Sequence, residues 1–158
     1  MDGLNPTQVS TLQAAGWAAD RRMDVSSWEA DLAAEGMELS PDLRSFLEEF
    51  GGLRWSNPST AGEDYVLIDP KVALGRVWKE ELSEWAAELG RASLVPIGVA
   101  LSQHVTLLAT ERDEVIGLYD HLIVIGRTYE EAVRNLLTDR RHVEWPSLDE
   151  IKQGTEDS

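Results

Sequence analysis

The side chains that could do chemistry in this sequence are overwhelmingly carboxylates. Three histidines, His104, His121 and His142, lie far apart, and none falls in an HxxxH or HExxH pair that would aim two imidazoles at one zinc ion. His104 and His121 flank strands and read as surface or turn residues. There is no cysteine, which removes disulfides, thiolate zinc sites, iron–sulfur clusters and thiol nucleophiles together. The serines lack a GxSxG or SxxK setting, and Gly51-Gly52 extends to neither GxGxxG nor a phosphate loop. No metal, cofactor or nucleotide site is therefore expected. Acid pairs are plentiful, but a glycosidase needs two acids at a fixed separation across a cleft. Here the acids mostly adjoin in sequence, so on a helix they point about 100° apart and on a strand to opposite faces. The chain is not expected to be an enzyme.

What the carboxylates do collectively is set the field. Asp and Glu number 29 against 14 Lys and Arg, a formal charge of −15, distributed as Glu48-Glu49, Glu63-Asp64, Glu80-Glu81, Glu111 to Glu114 and Glu130-Glu131. Such a surface repels nucleic acid and anionic lipid and steers cationic partners toward it. Solubility alone would also explain it. No apolar run approaches the roughly 18 residues that span a bilayer, and the N-terminus lacks a basic, then apolar, signal pattern. A cytoplasmic protein that binds neither nucleic acid nor membrane is expected. No heptad pattern demands a dimer, and the oligomeric state is left open.

The elements that must carry these residues have legible boundaries. Asn5-Pro6 and Ser40-Pro41 read as N-caps followed by proline at the first helical position, and Ser26 with Glu29 has capping-box spacing. Gly16, Gly36 and Gly51-Gly52 are the matching stops, giving three short helices before residue 52. Leu53 to Trp55 and Tyr65 to Ile68 are strand candidates. Asp69-Pro70 opens a long helical stretch that puts Trp78, Leu82, Trp85 and Leu89 on one face and ends at Gly90. Leu94 to Leu101 contains Pro96, so it is irregular or lies at an edge. His104 to Thr110 and Val115 to Tyr119 flank Glu111-Arg112-Asp113-Glu114 as a hairpin. Leu122 to Ile125 is a last strand before a helix from Tyr129 to Leu137, with Thr128 and Glu131 at capping-box spacing. This order predicts an α+β fold: one domain over residues 1–158, with its core in about 6–140, a mainly antiparallel sheet of about five or six strands, flanking helices and an acidic tail over 146–158.

Six tryptophans punctuate the elements. Trp28, Trp78 and Trp85 have helical-face neighbours and read as core. Trp17 and Trp55 sit just outside elements; core packing is favoured for both, but an exposed indole there could anchor a partner.

Assembled in order, Leu12-Gln13-Ala14-Ala15-Gly16-Trp17, Arg21-Arg22, Trp28 with Leu32, and Phe46-Leu47-Glu48-Glu49-Phe50-Gly51-Gly52-Leu53 resemble the opening of the SUKH superfamily, in particular its third subgroup. Leu94-Val95-Pro96-Ile97-Gly98, Gly117-Leu118-Tyr119 and Ile125-Gly126 continue the resemblance, which covers roughly residues 9 to 140. It implies an α+β domain and an immunity protein, encoded beside a bacterial polymorphic toxin, that neutralises the toxin domain. Such toxins are often nucleases or deaminases, whose basic clefts an inhibitor can occlude with carboxylates placed where phosphates would sit. A regulatory adaptor for a normal cellular partner is the alternative, since the same superfamily includes regulators.

The matched positions describe folding more than recognition, so the contact residues are chosen on physical grounds. Acids on loops and strand ends of a rigid sheet are the best presented. These are Glu111, Asp113 and Glu114 with Asp120, and Glu63-Asp64 at the loop-to-strand junction, with Trp55 as the aromatic candidate.

Overall fold

A computed structural model of the chain describes residues 3–56, 64–101, 103–138, 143 and 145–156, with the side chains of 153–156 left out of the description. Its centre is a six-stranded antiparallel sheet in the order β1-β2-β3-β4-β5-β6, each strand beside its neighbour in the chain. The strands are β1 (Arg54–Ser56), β2 (Tyr65–Leu67), β3 (Leu94–Ala100), β4 (Val105–Thr110), β5 (Val115–Leu118) and β6 (Leu122–Gly126). In the central strands both faces are buried: Val105, Leu107 and Ala109 of β4 point into one core, and Leu108 into another. The first core is closed by α1 (Pro6–Ala14), α2 (Ser26–Ala34), α3 (Pro41–Phe50) and α6 (Tyr129–Leu137). Leu82, Ala86 and Leu89 of α5 (Lys79–Leu89) and Ile151 of α7 (Leu148–Glu156) close the second. The short α4 (Pro70–Leu74) leads from β2 toward α5. The α+β expectation is met.

The caps show why the early helices start where they do. The Asn5 carboxamide accepts the Gln8 N–H while Gln8 reaches back to the Asn5 N–H, and the Ser40 hydroxyl accepts the Leu43 N–H. Ser26 departs from its reading: it lies inside α2, and the Asp24 carboxylate accepts its N–H at 2.9 Å. The spacing was right for a capping box, but a better acceptor stands two residues earlier. At α6 the Thr128 hydroxyl accepts the Glu131 N–H, while Glu131 turns to the Arg127 N–H rather than to the cap residue.

Two further elements differ from their sequence reading. The helical stretch from Pro70 to Leu89 is broken: α4 ends against Gly75, and α5 begins only after Trp78, whose backbone is extended. Trp78 therefore leaves the face shared by Leu82 and Leu89 and stands 76% exposed. β3 meets its reading: third of six strands, it is irregular, with a register shift between Pro96 and Gly98. Proline has no N–H for the ladder, and the bulge absorbs the missing bond. Helix α7 occupies most of the segment read as a tail. Among the described residues no helix is long and apolar enough to cross a membrane.

Candidate partner-binding surface

The hairpin acids are anchored inward. In the β4–β5 turn Asp113 adopts a left-handed φ of 62°, and the Thr110 N–H donates to the Glu114 carbonyl at 2.9 Å. This tight geometry brings the carboxylates back against the molecule. Glu111 is exposed, yet its two oxygens accept the N–H groups of Ala92 and Ser93, at 2.9 and 3.3 Å. Asp113 accepts the Tyr129 hydroxyl at 2.9 Å. Burial pushes the Asp113 carboxyl above its ordinary value, and neighbouring Asp42 adds to that, while the Tyr129 bond works against it. The Tyr129 phenol is raised in turn, by burial first and then by Asp113.

Glu114 is the most committed of the group. Only 7% exposed, it takes both arms of the Arg91 guanidinium, Nε at 2.6 Å and Nη2 at 2.8 Å, and accepts the Thr110 hydroxyl at 2.9 Å. Burial alone would raise its carboxyl. The Arg91 and Thr110 bonds outweigh burial and hold it below its usual range. Arg91, paired in this way, is shifted upward. The same guanidinium donates to the Ile151 carbonyl at 2.9 Å, so one arginine ties the hairpin to α7. Sequence reasoning missed Arg91, because no spacing joins residue 91 to 114 or 151. Charge reversal in this hairpin would break folding bonds rather than probe a contact.

Trp55 is likewise internal. It is 3% exposed and its indole N–H donates to the Leu136 carbonyl at 3.3 Å, so it fills the core as favoured. Trp17 is half-buried, donates to Glu49 at 2.9 Å and stacks on Phe50. Glu63 lies outside the described residues.

The remaining candidates meet at the opposite end of the sheet. There the β3–β4 turn, the β5–β6 turn and the start of β2 lie together, and the Gln103 carboxamide donates to the Tyr65 hydroxyl at 2.7 Å. A hollow at this end is lined by Asp64, Leu101, His104, Val105, Tyr119, His121 and Ile123. Tyr119 is 58% exposed and His121 stands edge-on to its ring, 6.3 Å between centroids. Asp120 is exposed, with its carboxylate 2.7 Å from the His121 Nδ1. Leu101 and Gln103 both hold positive φ, at 50° and 76°, a costly conformation for side-chain-bearing residues that fixes the turn bordering the hollow. An exposed phenol over a partly apolar floor with acids beside it can pack and pair with a cationic surface.

The family described as SUKH-3 immunity protein matches residues 6–139. The chain belongs to the SUKH-3 immunity protein family. No curated protein and no solved structure matches it. The geometry explains why this SUKH-3 chain announces itself through Gly, Trp and Phe. Gly16 has φ of 108°, and the Trp17 N–H then returns to the Leu12 carbonyl at 2.9 Å. A side chain at Gly51 would collide with the Trp28 ring and the Leu47 carbonyl, and the Gly52 N–H reaches the Ile68 carbonyl at 2.6 Å. Arg21 donates to the Glu49 carbonyl at 2.7 Å. These residues lock α1, α3 and the first strands together.

Proposed function

We propose that this chain is the immunity partner of a cognate bacterial toxin domain of a polymorphic toxin system, which it neutralises by binding over the active site. The family match along residues 6–139 carries the immunity assignment. The charge of −15 supports the finer reading, a toxin that grips nucleic acid, such as a nuclease or deaminase. Its cleft must be cationic to hold phosphates, and an acidic inhibitor gains both complementarity and encounter rate against it. The chain itself performs no catalysis, works without a cofactor and acts in the cytoplasm, where such a toxin would act. The contact proposed here is the sheet end bearing Asp64, Tyr119 and Asp120.

Co-expression with the toxin domain encoded by the neighbouring gene tests the function. Growth should be restored, and the purified pair should elute as one complex. Absence of both rescue and binding rejects the immunity role. Replacing Asp64 and Asp120 together by Lys should slow association mainly at low salt; rates unchanged across a salt series would move the contact elsewhere.

A further inference from the structure

Among the described residues the Trp78 side chain belongs to neither core. It occupies the N-cap of α5, where Ser, Thr, Asp or Asn would accept the first helical N–H groups, and it makes no side-chain cap bond. Its indole is 76% exposed, the most of any large apolar side chain among the described residues. A tryptophan that neither caps nor packs has the character of a binding anchor, since indoles are enriched at the energetic centres of interfaces.

Its surroundings define what it would take. Trp78 borders a groove whose floor includes half-buried Met37, Leu74 and Val77, with Glu35 and Glu80 exposed along it. Lys79 also lines the groove, so two acids there face one cation, and Arg76 is engaged elsewhere. The Lys79 ammonium lies toward Gly36, and the Arg76 guanidinium donates to the Gln103 carbonyl at 2.7 Å. We propose that this groove docks a basic segment of the partner, with an arginine laid on the Trp78 indole and its charge held by Glu35 and Glu80. Arginine fits better than lysine because its planar, weakly hydrated guanidinium stacks on an indole while donating sideways to carboxylates. A second copy of this chain fits poorly, since two molecules of charge −15 would meet acid to acid. That the partner is a toxin domain rests on the immunity reading; the chemistry of the groove does not.

The probe is a short peptide of alternating arginine and glycine, titrated into the full chain at about 0.1 M salt, where charges beyond about 10 Å are screened. The Trp78 indole N–H resonance, identified by its loss in Trp78→Phe, should shift and saturate. Affinity by calorimetry should fall about fivefold in Trp78→Ala. Glu35→Lys should weaken binding similarly, and it keeps the fold because a cation suits the C-terminus of α2. Glu88→Lys changes the net charge equally but lies about 12 Å along α5 from Glu80, and should leave affinity unchanged. An unmoved Trp78 resonance, equal losses for Glu35→Lys and Glu88→Lys, or a dimer that Trp78→Ala dissolves would each overturn the assignment. Growth rescue with an unmoved resonance removes the groove alone, whereas saturable peptide binding without rescue removes only the immunity role.

Discussion

The two ends of the sheet put their acids to opposite use. At the hairpin end, Glu111, Asp113 and Glu114 are satisfied by backbone N–H groups, a phenol and an arginine of the same chain. At the other end, Asp120 stands exposed beside Tyr119 and His121, its carboxylate 2.7 Å from the neighbouring imidazole. The difference lies in what surrounds each turn. The hairpin folds against the α5–β3 connection and the start of α6, which donate to it, whereas Tyr119, Asp120 and His121 of the β5–β6 turn are exposed. A carboxylate within reach of buried donors becomes part of the fold, and only one without them is available to a partner.

Breaking this contrast should be easiest at Glu114. Glu114→Ala takes the carboxylate away from buried Arg91, which should cost about 3 to 5 kcal/mol in urea unfolding. Because the folded-state carboxyl is held below its ordinary value, its contribution is complete above the unfolded value and is lost as pH falls through the folded one. Glu114→Gln should therefore lack that acid limb. A variant as stable as the parent would place Glu114 with the exposed acids instead.

Glu111→Ala removes two bonds to backbone N–H groups from an exposed side chain, and the loss should be about 0.5 to 1 kcal/mol. Hydrogen exchange at Ala92 and Ser93 should rise with it; unchanged protection there would mean the bonds contribute nothing. Asp113 should respond with the opposite sign. Its folded value is raised, so stability falls as pH climbs from the ordinary carboxylate value through the raised one. Asp113→Asn, still able to accept from Tyr129, should melt slightly higher at neutral pH and show a flatter profile; a lower melting point would contradict repulsion from Asp42. Smallest of all, Asp120→Lys should change stability by less than about 0.5 kcal/mol. A loss comparable to that of Glu114→Ala would erase the distinction between the two ends.

Local signals carried most of the fold. Asn5-Pro6, Ser40-Pro41 and Thr128 begin helices as their spacing predicts, and Glu111 to Glu114 closes a hairpin between two strands. These features work over four or five residues, so a single sequence exposes them. Failures came where the decisive partner is distant. Nothing near Glu114 points to Arg91, and nothing near Trp55 points to the Leu136 carbonyl. Trp78 is a different case: Glu80-Glu81 after it is the acidic first turn that a new helix prefers, and Gly75 before it is a stop, so the break was visible but outweighed by the apolar spacing. Among the contact candidates, Asp120 is exposed and Asp64 is half-buried.

The neighbour-to-neighbour order of the sheet also has a kinetic meaning. Every strand pairs with the strand next to it along the chain, and the four strands from β3 to β6 are joined by tight turns alone. Loop closure is inexpensive for such contacts, and domains dominated by them reach the native state quickly. The β3–β6 meander can zip as a unit while α1 waits for α6, its distant packing partner, to be made. A newly synthesised chain would thus have its sheet, with the Tyr119–Asp120 turn in place, soon after residue 126 is available.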